Sequence, residues 1–244
     1  MRFGIIGAGS IGSIISKKLV KNGHDVKIAD ARGMEHLEGK ELAGIPVRIE
    51  DVIKNIEILI ISLPTKAIPS IGNIINQVGE EVIIVDTSNY YPFRDDKLEE
   101  IENGMVESVW VSNQLGRPVI KAFNNLLAYT LENEGTSEDS SGRIAMAVSG
   151  NDPSQKQVVM DVVYELGFDA VDSGSLSDSW RQQPGTPAYC TELTKDELMK
   201  ALKKANKEKA PLLRDKVMER FAEEKEVEFS HKDVVNLNRE IYNS

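Results

Sequence analysis

Short apolar runs alternate with helically spaced segments along much of the chain. The runs that predict strands are 3–6, 25–29, 46–49, 56–61, 82–85, 118–123 and 143–148. The run 56–61 is broken only by Glu57, which is typical of a strand buried on both faces. Between the runs, segments such as 66–78 space their isoleucines as a helix does. Because strands and helices alternate with short links, the pattern predicts an α/β fold with a doubly wound, mainly parallel sheet.

The helix predicted after Asp152 has recognisable start and stop signals. Asp152 is followed by Pro153 and Gln155, the spacing of an N-cap, a first-turn proline and a capping-box partner. Four valines and Leu166 then repeat on one face until Gly167, which predicts the end of the helix.

The composition changes near Gly174, and two charged helices follow. Thr194 and Glu197 have the spacing of a capping box at the start of the first helix. The second helix carries one apolar stripe, which consists of Leu213, Val217 and Phe221. These changes predict a main domain over residues 1–175 and a C-terminal helical extension over residues 176–244. The stripe leaves open a homodimer formed through the C-terminal helices.

Composition and charge disfavour several classes of partner. The 244 residues carry a formal net charge of −10, which disfavours nucleic acid and anionic membranes. The single cysteine, Cys190, excludes an internal disulfide, and the three histidines are scattered, so no metal site is expected. No signal-peptide pattern and no apolar run of membrane-spanning length is visible, so a cytoplasmic protein is expected.

The opening apolar run leads into a Gly-x-Gly-x-x-Gly loop. Its residues are Gly7, Ala8, Gly9, Ser10, Ile11 and Gly12. In such a loop the first glycine permits a tight turn, the second lets the backbone approach a pyrophosphate, and the third lets helix and strand pack closely. The N–H groups at the start of the helix then face the anion. The next run ends in Asp30, at about the twenty-residue offset of a ribose-contacting residue. The sequence therefore predicts a Rossmann-type dinucleotide site.

Further motifs resemble those of a known family. They are Ala29-Asp30-Ala31-Arg32-Gly33, Leu63-Pro64, Asp86-Thr87-Ser88-Asn89, Lys121-Ala122-Phe123-Asn124 and Asp172-Ser173-Gly174-Ser175-Leu176. With the glycine loop, their order and spacing over residues 1–183 resemble the F-420-dependent NADP oxidoreductases and the cytosolic reductase domain of the STEAP metalloreductases. The resemblance implies hydride transfer between a nicotinamide and a flavin-like or deazaflavin (F-420) ring. Such a transfer depends on position and polarity and needs no obligatory acid, base or nucleophile.

The resemblance also implies where the cofactor is held. The family commonly has Asn-Ser-Arg after the second strand, whereas this chain has Asp30, Ala31 and Arg32. The Arg32 guanidinium favours the 2′-phosphate of NADP, while Asp30 could instead bond the free ribose of NAD. NADP is therefore the predicted cofactor and NAD is the alternative. The residues implied beside the nicotinamide are Leu63, Pro64, Ala122 and Asn124, and helix capping is the alternative role of Asn124.

Four residues are predicted to bind the electron acceptor. Asn89 and Tyr90 follow the carboxyl end of a strand, where open α/β sheets place ligands. Trp180 and Arg181 supply a ring and a cation after Gly174. The alternatives are a turn role for Asn89 and a packing role for Trp180 with Arg181 on a helix end.

Three functions are compatible with these residues. The predicted one is an NADP(H)-dependent oxidoreductase whose partner is a small-molecule electron acceptor. A non-catalytic dinucleotide-binding or redox-sensing module would show the same motifs, since the sequence has no recognisable acid/base pair and no catalytic residue is assigned. A hydroxyacid or imine dehydrogenase would need a proton donor near the nicotinamide. The candidates for that donor are Lys121, Tyr90 and Tyr91.

Overall fold

The computed structural model describes residues 1–223 and 229–242. Strands and helices alternate through its first two thirds. The strands are β1 Arg2–Ile6, β2 Asp25–Ala29, β3 Ile45–Pro46, β4 Ile58–Ile61, β5 Ile83–Asp86, β6 Ile120–Lys121, β7 Ala145–Val148 and β8 Asp169–Asp172. Strands β1 to β7 overlap the seven predicted runs, with ends that differ by a few residues, whereas β8, with the sequence Asp-Ala-Val-Asp, was not predicted.

Helices lie between the strands and make up most of the C-terminal third. The α-helices are α1 Ser10–Lys21, α2 Ile49–Val52, α3 Gly72–Ile75, α4 Pro92–Asp95, α5 Glu99–Glu102, α6 Glu107–Leu115, α7 Ala128–Asn133, α8 Pro153–Glu165, α9 Lys195–Lys204, α10 Ala210–Glu223 and α11 His231–Tyr242. The 3-10 helices are Met34–His36, Thr65–Ile71 and Leu176–Gln182. Across the described residues, every helix is too short or too polar to cross a membrane.

Strands β1 to β6 form one parallel sheet in the order β3-β2-β1-β4-β5-β6. The chain reverses its direction of winding between β1 and β4, which is the doubly wound Rossmann arrangement. Ligands of such sheets bind outside the carboxyl ends of the strands at the reversal point. The α/β, Rossmann-type prediction is confirmed.

Apolar clusters cover both faces of this sheet. Ile5 of β1 belongs to the cluster beneath α1 and α8, and its neighbour Ile6 belongs to the cluster beneath α6. Successive side chains of a strand point to opposite faces, so both faces of β1 are buried. In β4, the residues Ile58–Ile61 are all at most 1% exposed. The prediction that this central strand is buried on both faces is confirmed.

Strands β7 and β8 form a separate parallel pair that runs in the opposite direction. Ser149, just after β7, forms an antiparallel bridge with Lys121 of β6. Because Lys121 is the last residue of β6, the carboxyl end of β7 lies beside the carboxyl end of β6. Gly174, two residues after β8, accepts a hydrogen bond from the Gly150 N–H at 3.1 Å, next to this bridge.

Local sequence signals decide the starts of α8 and α9. The Asp152 carboxylate accepts hydrogen bonds from the backbone N–H groups of Ser154 and Gln155, at 2.8 and 3.0 Å, so the predicted N-cap of α8 is confirmed. The capping box at the start of α9 is also present. The segment 66–78 differs from its prediction, because Pro69 has no N–H to donate and a 3-10 helix precedes the short α3.

The apolar stripe of α10 packs inside the chain. Val217 is buried in a cluster with Tyr189 and Tyr242, and the other two stripe residues pack against it. The stripe from which a homodimer was considered is therefore covered by residues of the same chain. The boundary predicted after residue 175 falls between β8 and the last 3-10 helix.

Candidate functional site

A cleft of about 360 Å³ opens beside the carboxyl ends of β1, β4 and β5. The glycine loop, the segments after β4, β5 and β6, and part of the C-terminal third line it. The predicted site residues in this lining are Gly9, Ser10, Ile11, Leu63, Pro64, Asn89 and Asn124. The structure therefore brings together much of the predicted nicotinamide end of the site.

The three loop glycines have different structural requirements. A Cβ added at Gly7, whose φ is +115°, would lie 2.1 Å from the carbonyl oxygen of Ser62. A Cβ added at Gly12 would lie 1.9 Å from the carbonyl oxygen of Gly7. A Cβ at Gly9 would meet no protein atom within 4 Å. Packing thus explains the first and third glycines, whereas the second leaves open space where a ligand can approach the backbone.

The start of α1 can hold an anion. Gly9 is its N-cap and provides no side-chain cap, and the first turn contains no acidic residue. The first N–H groups of a helix have no partner within it and carry a partial positive charge. Because the open space at Gly9 adjoins these groups, the loop fits a pyrophosphate. Lys40 adds a cation here, because its ammonium donates to the carbonyl of Ala8 at 3.1 Å. The sequence did not predict this contact, because Lys40 lies in an irregular loop.

Asp30 and Arg32 form a two-pronged ion pair beside the glycine loop. The Gly7 N–H donates to the Ala29 carbonyl at 2.8 Å, which places the end of β2 next to the loop. The Arg32 Nε and one terminal nitrogen each donate to a different Asp30 carboxylate oxygen at 2.9 Å. The hydrogen bonds from Arg32 lower the pKa of Asp30 to about 2. Ala31 between them packs against an apolar cluster.

Amide side chains connect the cleft to the C-terminal third. The Asn124 amide donates to the side-chain oxygen of Asn89 at 3.0 Å and to the backbone carbonyl of Gln182 at 2.9 Å. The Gln182 amide donates in return to the Asn124 side-chain oxygen at 2.9 Å. These bonds fix which way the Asn124 amide is turned. Gln182 lies 58 residues away in sequence, and no motif indicated its contact.

Another part of the lining contains two tyrosines and the single cysteine. The Tyr91 hydroxyl donates to the Tyr189 hydroxyl at 3.0 Å, across 98 residues of sequence. Cys190 lies beside them with a φ of 52° and is buried. Burial raises the pKa of the Cys190 thiol to about 12, so it remains protonated at neutral pH and is a poor nucleophile.

Tyr90 and Ala122 do not line the cleft. Tyr90 is fully buried, and its hydroxyl donates to the Glu102 carboxylate at 2.8 Å and accepts from the Leu98 N–H at 3.1 Å. Burial raises the pKa of Tyr90 to about 12. Ala122 is also fully buried, while Phe123, with a φ of 60°, reaches the lining. Neither side chain reaches the cleft, so the place of Tyr90 beside an acceptor and of Ala122 beside the nicotinamide stays a prediction.

Lys121 is a structural cation in this fold. Its ammonium lies 2.9 Å from the carboxylate of Asp86 and also donates to the carbonyl of Ser88. Ser108 donates a further hydrogen bond to Asp86 at 2.8 Å. Both charged side chains are at most 1% exposed. Of the three candidate proton donors, Tyr91 is the one that lines the cleft.

Trp180 and Arg181 do not line the cleft, and their role as acceptor-binding residues stays a prediction. The Arg181 guanidinium lies 4.5 Å from the Trp180 ring centroid and donates to the Leu202 carbonyl at 3.2 Å. In the 3-10 helix Leu176–Gln182, Gln182 is the residue that bonds Asn124, while the Leu202 carbonyl of α9 holds Arg181. Trp180 fits the alternative packing role.

Glu107 lies buried behind the cleft wall and gives a pH prediction. Its carboxylate accepts from the Tyr90 N–H at 3.1 Å, and burial raises its pKa to about 7 although Lys121 and Arg214 oppose the shift. The ordinary value is about 4.3. Since the folded state holds a proton that the unfolded chain has released, stability falls as pH rises from about 4.3 to about 7.

Glu107→Gln is expected to remove this pH dependence. The variant should exceed the wild type in unfolding free energy above about pH 7, by on the order of 1 to 3 kcal/mol. Urea unfolding at about pH 5 and about pH 8 measures the difference. An equal fall in stability for both proteins would contradict the assignment.

Comparisons with known proteins agree with the fold and the glycine loop. Residues 2–90 match the family model described as NADP oxidoreductase, coenzyme F-420-dependent. The Escherichia coli protein YjhV is 36% identical over 125 residues, which are 51% of this chain and 83% of YjhV. The hypothetical protein SMa0349 from Sinorhizobium meliloti has a TM-score of 0.68 at 29% identity, over 80% of this chain and 96% of that chain. A proposed F-420-dependent NADP reductase from an Arthrobacter species has a TM-score of 0.60 at 21% identity, over 73% of this chain and 87% of that chain.

The sheet order and the cleft at its reversal point are those of a Rossmann-type dinucleotide-binding fold, and the family match makes the protein an NAD(P)-dependent oxidoreductase. Within that class, the chain belongs to the F-420-dependent NADP oxidoreductase family.

Proposed function

We propose that this protein transfers hydride between NADP(H) and a flavin-like or deazaflavin acceptor in the cleft. The observation that carries the proposal is one continuous lining that joins the glycine loop to the Tyr91–Tyr189 pair. Bound NADP(H) supplies the hydride. The protein has to hold two rings at reacting distance and limit the access of water.

The cofactor end has donors for each phosphate of NADP. Ser10 and Ile11 stand at the start of α1, where backbone N–H groups bind the pyrophosphate. Arg32, paired with Asp30, and Lys40, bonded to the Ala8 carbonyl, are cations beside the glycine loop that can bind the 2′-phosphate. Their position supports NADP over NAD as the preferred cofactor.

The nicotinamide end combines apolar and amide groups. Leu63 and Pro64 give it an apolar wall, and the Asn89–Asn124 pair supplies fixed amides that can bond the carboxamide of the ring. The tyrosine pair offers aromatic surface for the second ring. This lining supports ring-to-ring hydride transfer rather than a reaction led by a charged acid or base.

An acceptor panel tests the proposal. The purified protein is mixed with NADPH and, in turn, with a deazaflavin, FMN, riboflavin, a 2-oxo acid and a cyclic imine, and NADPH oxidation is followed by absorbance. We expect turnover with a flavin or deazaflavin that is absent in the Gly9→Val variant. Turnover with only the oxo acid or imine would support the dehydrogenase alternative. Tight NADPH binding without any turnover would support a binding module, and either result would overturn the proposal.

A further inference from the structure

We propose that Arg94 binds an anionic group of the electron acceptor, so that the cleft selects a planar acceptor carrying a phosphate or carboxylate. The inference rests on the proposed function because it takes the cleft as the acceptor site. Arg94 belongs to the short helix α4 and lines the cleft with Asn89, Tyr91 and Tyr189.

Arg94 is the single charged side chain in the cleft lining that the described residues form. The other lining residues are apolar, hydroxyl-bearing, amide-bearing, glycine or the protonated Cys190. The chain as a whole carries a formal net charge of −10. A lone cation in an otherwise uncharged cleft of an acidic protein provides a specific attraction for an anion, because field lines are focused in such clefts.

Neighbouring groups hold the Arg94 guanidinium in one orientation. Its Nε and Nη2 donate to the two oxygens of Asp95 at 3.2 and 2.7 Å. Nη2 also donates to the backbone carbonyl of Asn89. Asp95 is fully buried, and it accepts a further bond from the Tyr91 N–H at 3.0 Å. The guanidinium is therefore preorganised, so that little further side-chain freedom is lost when it binds a ligand.

Part of the guanidinium remains available to a ligand. Within the described residues, Nη1 has no hydrogen-bond partner, and the Arg94 side chain is 41% exposed. Guanidinium groups bind phosphate and carboxylate through charge-assisted hydrogen bonds. The Asp95 carboxylate reduces the net charge at this place, so we expect directed N–H bonds to supply most of the selectivity.

The surroundings of Arg94 determine the shape of the acceptor. Its guanidinium lies 5.5 Å from the centroid of the Tyr91 ring, and the Tyr91 hydroxyl contacts Tyr189. A flat ring can therefore stack on the phenols while its anionic substituent reaches the guanidinium. The pyrophosphate of the cofactor has its own donors at Gly9 and Ser10, so Arg94 is left for the acceptor.

FMN and riboflavin test this inference directly, because they share one ring system and differ by a phosphate. Their dissociation constants are measured by quenching of flavin fluorescence, with NADP⁺ saturating and no turnover. The wild type should bind FMN about tenfold more tightly than riboflavin. Arg94→Met should bring FMN to the affinity of riboflavin and leave riboflavin and NADP⁺ unchanged, while Arg94→Lys should retain part of the difference.

Lys66→Met is the matched control. Lys66 is also a half-exposed cation of this region, paired with Asp96 at 3.4 Å, but it does not line the cleft. We expect it to keep the full preference for FMN. Competition by pyruvate and by inorganic phosphate distinguishes a carboxylate from a phosphate as the preferred group.

Equal affinities for the two flavins in the wild type, or no binding of FMN, would overturn the inference. A loss of NADP⁺ affinity in Arg94→Met would also overturn it, since it would assign Arg94 to the cofactor. Melting temperatures of both Arg94 variants show whether a change reflects folding. A preserved preference for FMN without NADPH-driven reduction of any flavin or deazaflavin would leave this inference standing and refute the proposed function.

Discussion

Gly9→Val is expected to weaken NADPH binding by roughly a hundredfold or more while the melting temperature stays close to that of the wild type. A Cβ at Gly9 meets no protein atom within 4 Å, and the residue has a φ of −81°, which valine adopts readily. The valine side chain would fill the space through which a pyrophosphate reaches the start of α1. Calorimetric titration with NADPH measures the loss.

Gly12→Val is the matched control for this variant. Its Cβ would lie 1.9 Å from the carbonyl oxygen of Gly7, so the helix and the loop would have to separate. We expect a loss of about 3 kcal/mol or more in unfolding stability. If Gly9→Val bound NADPH normally and showed a native circular dichroism spectrum, the loop would be excluded from the cofactor site.

The sequence was most informative where a short segment decides its own structure. The apolar runs at β1, β4 and β5 predicted the strands because parallel strands buried on both faces need continuous apolar residues. The glycine loop and the Asp152 cap were predictable for the same reason, since their geometry depends on a few neighbouring residues. The reversed direction of β7 left no such local signal, because one antiparallel bridge to β6 determines it.

The acceptor end of the cleft shows why the remaining site could not be predicted. Tyr91 was a candidate proton donor, but its partner Tyr189 is 98 residues away in sequence. Gln182 reaches Asn124 from the end of a 3-10 helix whose other residues, Trp180 among them, are directed elsewhere. Long-range packing of the C-terminal third decides these contacts. The family resemblance covered residues 1–183 and therefore stopped short of Tyr189.

The Asp30–Arg32 pair is expected to set the preference between NADPH and NADH. Removing Arg32 should reduce the preference for NADPH, and removing the charge of Asp30 should increase it. Arg32→Ala should lower NADPH affinity roughly ten- to a hundredfold, because a charge-assisted bond to phosphate contributes about 1.5 to 3 kcal/mol. NADH affinity should change little. Asp30→Asn should release the guanidinium from its two 2.9 Å bonds and so raise NADPH affinity several-fold.

A pH titration provides an independent check on the same pair. Arg32 lowers the pKa of Asp30 to about 2, whereas an unperturbed aspartate has a pKa of about 3.9. The stabilisation from the pair is therefore present above about pH 4 and is lost as pH falls towards about pH 2. In Arg32→Ala this acid-dependent part of the stability should shrink.

Calorimetry with NADPH and NADH on the wild type and both variants completes the test of cofactor preference. A wild type that binds NADH as tightly as NADPH would assign the position to Asp30 and the ribose hydroxyl, and would overturn the preference for NADP.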